Sequence, residues 1–180
     1  EHTIAMMMAL ARHIARADKS CKENKWERSE FLGTELSGHT LGVVGLGKIG
    51  QRVTKVAQAL GMKVLGYDPF VSEEKAKDIG VTKVELNGIF RSSDFITLHV
   101  PKVDDKAIIG AEEIGMMKTG SGIINTSRGG LVDETALMFA LDKEKISYAG
   151  LDVYENEPFP SIHLLMHGAI SLTPHIGAAT

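Results

Sequence analysis

Cysteine is nearly missing from this chain. Cys21 stands alone among 180 residues, so no internal disulfide can form and a disulfide-stapled secreted scaffold is excluded. A lone thiol fits a reducing compartment such as the cytoplasm. No apolar run reaches the length a membrane-spanning helix needs. The basic start and small-residue cleavage site of a signal peptide are missing too. Charge of one sign is also scarce: 20 Lys and Arg face 23 Asp and Glu, a formal net charge of −3. Nothing there favours nucleic acid or an anionic membrane as partner. Internal repeats and low-complexity stretches are lacking, and no Cys/His spacing suits a metal ion.

What is present is an ordinary globular composition, 43% hydrophobic and 24% charged, in a chain long enough for one domain with a sizeable core. The 19 glycines point to many tight turns between short elements. The chain starts at Glu1 rather than Met, directly in a helical pattern. Ile4, Met7, Met8, Ala11 and Ile14 recur at helical spacing and predict a helix over 2–17. The chain ends at Thr180, soon after an apolar run; both ends read as those of a domain from a longer protein.

From Thr40 onward short apolar runs alternate with amphipathic segments. The runs cover 41–44, 63–67, 95–99, 122–125, 147–151 and 169–172, and helices are expected at about 48–60, 72–79, 85–92, 111–117 and 133–142. Alternation of this kind predicts an α/β fold: a Rossmann-like, doubly wound parallel sheet in a single domain with helices on both faces. Ligands of such sheets bind outside the carboxyl ends of the strands. After the six runs come Gly45, Asp68, Val100-Pro101, Thr126-Ser127-Arg128, Asp152 and His175, which together outline a site along one edge.

At one end of that edge, Gly45-Leu46-Gly47-Lys48-Ile49-Gly50 fits G-x-G-x-x-G between a strand and a helix. The first glycine makes the turn, the second admits a pyrophosphate, and the third lets helix and strand pack closely. An acid at the end of the next strand completes the dinucleotide signature by binding the ribose hydroxyls. Asp68 meets that requirement, and its neighbours Pro69 and Phe70 supply no arginine for a 2′-phosphate, which favours NAD over NADP. The bland alternative is a glycine turn with a capping aspartate.

At the other end, Arg128 has the planar fork that grips a carboxylate; a surface ion pair with Asp133 or Glu134 is the competing reading. Glu157 and His175 lie after neighbouring strands. A carboxylate beside an imidazole stabilises the imidazolium, giving an acid able to protonate a carbonyl. His2, His13, His39, His99, His163 and His167 read as structural or surface residues, with His99 near the adenosine side.

On these residues the chain resembles the nucleotide-binding domain of the D-isomer-specific 2-hydroxyacid dehydrogenases, closest to the branch that makes 3-phosphoglycerate dehydrogenases of serine biosynthesis. The likeness runs through 26–36, 40–50, 66–69, 125–134, 152–158 and 173–180. It implies hydride exchange between NAD and a 2-hydroxy or 2-oxo acid. Arg128 would bind the substrate, His175 would exchange its proton and Glu157 would support His175. Asp152 would hold the nicotinamide carboxamide, with Lys48 and Ile49 on the pyrophosphate and Asp68 on the ribose. Val100, Thr126 and Ser127 would line the cofactor cleft, with Gly177 beside His175. Two positions depart from the family: Lys48 replaces the frequent Arg, and Lys102-Val103-Asp104-Asp105 replaces the usual Leu-Thr start of its loop. The resemblance also implies a substrate domain outside this chain, weak turnover by this domain alone, and a homodimer with helix 2–17 at its interface. Intrachain packing of that helix is an equal reading. The alternatives are an NAD-sensing corepressor-like assembly module, a non-redox adenine nucleotide binder, or a relative acting on hydroxypyruvate, glyoxylate, lactate or formate.

Overall fold

The computed structural model describes residues 1–180. Seven strands form one sheet: β1 (Thr40–Val44), β2 (Lys63–Tyr67), β3 (Thr82–Lys83), β4 (Phe95–Leu98), β5 (Ser121–Asn125), β6 (Ile146–Leu151) and β7 (Ile170–Leu172). Their spatial order is 3-2-1-4-5-6-7 and every pairing is parallel. The chain winds outward from β1 on one side and from β4 on the other, so the order reverses between these two strands. In open parallel sheets, a reversal of this kind is where ligands bind, in the crevice outside the carboxyl ends of the strands.

Helices cover both faces, which is why β4 and β5 are buried along their whole lengths. On one face lie α1 (His2–Ala11), α3 (Lys48–Ala59) and α4 (Glu73–Asp78), whose Met7, Val53, Ala57 and Ala76 pack with Leu41, Val43 and Ile124. On the other face α5 (Leu86–Ser92), α6 (Ala111–Met116), α7 (Glu134–Asp142) and α8 (Ile162–Met166) contribute Ile89, Phe90, Ile114, Leu137 and Leu164 to a core with Ile96, Leu98 and Ile123.

The fold matches the expected class but adds to it. The predicted helix over 2–17 is two helices, α1 and α2 (Ile14–Lys22), broken at Arg12 and at His13, whose φ is 54°. The cause is tertiary. The segment 32–34 packs on the end of α1, where the Thr34 N–H donates to the Ala11 carbonyl and the Leu32 carbonyl meets the His13 ring. Ile4 and Met7 are buried within the chain, while Met8 and Ile14 stay exposed. Strand β3 and helix α8 were not anticipated. The first is two residues long, and the second has five residues after a proline-rich stretch, too few for periodicity to register.

Candidate active site

The glycine turn after β1 shows the expected division of labour. Gly45 has φ 94°, and a Cβ there would lie 2.5 Å from the His99 carbonyl oxygen in the loop after β4. A Cβ on Gly50 would lie 2.0 Å from the Gly45 carbonyl oxygen, so only glycine lets α3 pack this close to the turn. A Cβ on Gly47, by contrast, would meet no protein atom within 4 Å. That open space lies at the start of α3, which has no side-chain cap. The N–H groups of Lys48 and Ile49 have no partner within the chain, so they are free donors at the positive end of the helix dipole. The geometry suits an anionic diphosphate.

Asp68 ends β2 beside this turn. Its carboxylate accepts from the Leu46 N–H at 2.8 Å and from the Phe70 N–H at 2.8 Å. One bond per oxygen leaves each with acceptor capacity for a ribose hydroxyl. Asp68 therefore anchors the glycine turn rather than capping a helix. Val100 packs against Gly45 at the mouth of the crevice. His99, expected near the adenosine side, turns inward: burial drives its pKa down to about 4, and Thr97 Oγ1 lies 3.1 Å from its Nε2.

After β5, Asn125 builds the arginine loop. Its side chain donates to the Arg128 carbonyl at 2.9 Å and accepts from the Ser127 N–H at 3.1 Å. Ser127 Oγ donates to the Leu98 carbonyl, fastening this loop to the end of β4. Thr126 Oγ1 contacts Thr3 Oγ1 of α1 at 2.7 Å. Arg128 itself is exposed, and its Nη1 donates to the Ser127 carbonyl at 2.6 Å. It pairs with neither Asp133 nor Glu134: Asp133 caps α7 through the Ala136 N–H, and Glu134 accepts from the Glu155 N–H at 2.7 Å. The Glu155 carboxylate in turn accepts from the Glu134 N–H at 3.1 Å.

The loops after β6 and β7 bring Glu157 and His175 together. His175 Nδ1 lies 2.7 Å from Glu157 Oε2, and the other carboxylate oxygen accepts from the Tyr154 N–H at 3.0 Å. The imidazole holds the Glu157 carboxyl below the usual carboxylate range. Nδ1 is committed to the carboxylate, so Nε2 is the nitrogen available for proton exchange. A cavity of about 290 Å³ borders the pair, walled by Tyr154, Pro158, Pro160, Leu165 and Leu172.

Asp152 lies beneath, fully buried. Its Oδ1 accepts from Thr173 Oγ1 at 2.6 Å and the Ile176 N–H at 2.8 Å, and Oδ2 accepts from the Gly177 N–H at 2.8 Å. Burial pushes its pKa up, but these donors and the nearby His2 outweigh that and hold it below the ordinary value. The carboxylate is occupied in organising 173–177. The expected cofactor and dyad residues thus share one edge, while Arg128 makes no hydrogen bond or ion pair with Glu157 or His175. His2, read as structural or surface, meets Thr173 and Asp152, and the Glu134–Glu155 pair was not anticipated; both depend on contacts between segments remote in sequence.

The profile of the family described as D-isomer specific 2-hydroxyacid dehydrogenase, NAD binding domain, matches residues 4–177. The chain belongs to this family. Among curated relatives, the D-3-phosphoglycerate dehydrogenase of Synechocystis sp. is 54% identical, over 100% of this chain and 33% of the relative. That of Archaeoglobus fulgidus is 50% identical, over 100% and 34%. The chain therefore spans about a third of the relatives it matches. Among solved structures, D-lactate dehydrogenase from Aquifex aeolicus, complexed with NAD and lactic acid, superposes with a TM-score of 0.89 at 36% identity, over 99% of this chain and 59% of that one. Rhodotorula graminis D-mandelate dehydrogenase gives 0.92 at 31%, over 98% and 55%. As the NAD-binding domain of a D-2-hydroxyacid dehydrogenase, the chain has NAD as its cofactor, and the open space at Gly47, the free N–H groups of Lys48 and Ile49 and the Asp68 carboxylate fit it.

Proposed function

We propose that the full-length protein oxidises D-3-phosphoglycerate reversibly, with Arg128, Glu157 and His175 as its catalytic residues. The Glu157–His175 hydrogen bond at 2.7 Å carries the reading, and the names of the relatives favour the substrate. NAD, when bound, supplies the acceptor for the hydride leaving C2. The chain's own groups handle the rest. His175 Nε2 takes the proton of the C2 hydroxyl in oxidation and returns it to the carbonyl oxygen in reduction. Glu157 orients the ring through Nδ1 and stabilises the imidazolium so formed. Arg128 swings from the Ser127 carbonyl to the substrate carboxylate, where its fork makes two charge-assisted bonds. Gly45, Gly47, Lys48, Ile49, Gly50, Asp68, Val100, Thr126, Ser127, Asp152, His175 and Gly177 form the cofactor side.

The reading includes a substrate domain outside residues 1–180, a cytoplasmic location consistent with the single exposed Cys21, and a homodimer using the exposed Met8 and Ile14. No helix is long and apolar enough to cross a membrane.

In the full-length protein, His175→Ala should abolish turnover while leaving NADH affinity nearly intact. Undiminished turnover would remove His175 from the mechanism. Comparing kcat/KM for 3-phosphoglycerate with that for lactate and glycerate tests the substrate.

A further inference from the structure

Around Asp152 the structure gathers a second histidine that the Glu157–His175 pair does not use. His2 is the first residue of α1, its side chain 22% exposed. Its Nε2 lies 3.0 Å from Thr173 Oγ1 and 3.3 Å from Asp152 Oδ1. The Thr173 hydroxyl has one hydrogen, and it faces Oδ1 at 2.6 Å. An ionised carboxylate only accepts, so that hydrogen goes to Asp152. Whatever faces the hydroxyl's lone pairs must donate, and Nε2 is therefore the ring nitrogen that carries a hydrogen. Donation from His2 converges on Thr173 and Asp152 together.

What these two residues hold is the segment bearing His175. The Ile176 and Gly177 N–H groups both end on Asp152. Tyr154 Oη donates to the Thr173 carbonyl at 2.7 Å, and the His175 N–H donates to the same carbonyl at 3.0 Å. His175 has φ 54°, a left-handed conformation uncommon for a residue with a side chain and kept only where the surroundings impose it.

Resting on the proposed role of His175, we infer that His2 is a positioning residue for it. Its Nε2–H locks the Thr173 hydroxyl and the Asp152 carboxylate, which fix 173–177 and aim the imidazole. Helix α1 thereby acts on the proton-transfer group from the opposite end of the chain.

The test uses the full-length protein. His2→Leu, which removes the donor, should lower kcat roughly ten- to a hundredfold, the penalty of a misplaced catalytic group. With kcat counted per folded, NADH-binding molecule, so that an unfolded fraction cannot mimic the loss, KM should change less than about twofold and the NADH dissociation constant much less than kcat. His2→Gln, with an amide N–H near the position of Nε2, should recover most of kcat. Wild-type kcat in folded His2→Leu would overturn the inference, as would failure of a folded His2→Gln to recover. Should His2→Leu not fold, Thr173→Val breaks the same relay and Thr173→Ser keeps it. Equal kcat in those two would overturn the inference as well. Amide exchange at Ile176 and Gly177 provides a readout independent of turnover. It should accelerate about tenfold or more in His2→Leu, and unchanged protection would be contrary. An inactive wild-type protein would count against the proposed reaction and leave this exchange test standing.

Discussion

Gly129 is held in the tightest spot of any glycine in the chain. A Cβ there would lie 1.7 Å from the Tyr154 carbonyl oxygen, and a backbone atom cannot swing aside. Gly129→Ala must push the arginine loop off the loop that carries Glu157. We expect a cost of about 1–3 kcal/mol or more, the usual range for overpacking, read as a lowered urea midpoint; an unchanged midpoint would mean that the loops separate freely. His99 supports a second expectation. Burial lowers its folded pKa to about 4 from 6.5. The unfolded chain therefore takes up a proton first as pH falls, and stability drains away between pH 6.5 and 4. His99→Gln should flatten the pH profile in that window and leave it unchanged above pH 7. At this scale the strand ends were legible as positions: the structure sets Asp68 on the glycine turn and Glu157 on His175, whereas Asp152 is buried holding 173–177 and Arg128 bonds to its own loop. His2 was not, since its value comes from Thr173, 171 positions away, and no local pattern encodes that meeting.

The elements were legible in proportion to their length. Helix α3 and strands β1, β2, β4 and β5 fell close to the expected bounds because several turns or a whole buried strand repeat the signal. The break between α1 and α2 was hidden because the residues that cause it, 32–34, lie well downstream. Two neighbouring loops are stapled by a device equally invisible beforehand: Glu134 and Glu155 each accept from the other's backbone N–H. Burial is the main cause raising the Glu134 pKa, with Glu155 and Asp133 adding repulsion. A raised carboxyl favours the fold below its unfolded pKa and loses that contribution as pH rises through the folded value. At neutral pH the charge is thus a burden on the fold. Glu134→Gln keeps an oxygen for the Glu155 N–H and removes the charge, so it should raise the urea midpoint at pH 7 and shrink the difference at pH 4. A midpoint lowered at both values would show that the ionised form is the one the staple requires.

Across the whole molecule, the residues proposed for function lie along the one edge formed by the carboxyl ends of the parallel strands. Two cores, one on each face, hold β1 and β4 side by side, and Gly45 brings the exit of β1 against that of β4. Gly45, Asp68 and Val100 come to one end of the crevice, and Arg128, Asp152 and His175 to the other. Binding along that edge should stabilise the entire domain, since a ligand held only by the folded state shifts unfolding by mass action. NADH at a hundred times its dissociation constant contributes about 2.7 kcal/mol, which for a domain of this size raises Tm by roughly 5–10 °C. NADPH places a 2′-phosphate against the Asp68 carboxylate, whose oxygens already hold the glycine turn through Leu46 and the next loop through Phe70. It should shift Tm little at the same concentration, and Asp68→Ser should narrow the gap while lowering the unliganded Tm, because the turn loses its anchor. Equal shifts from the two nucleotides in the wild-type chain would mean that Asp68 serves the turn alone and that the edge does not discriminate against the 2′-phosphate.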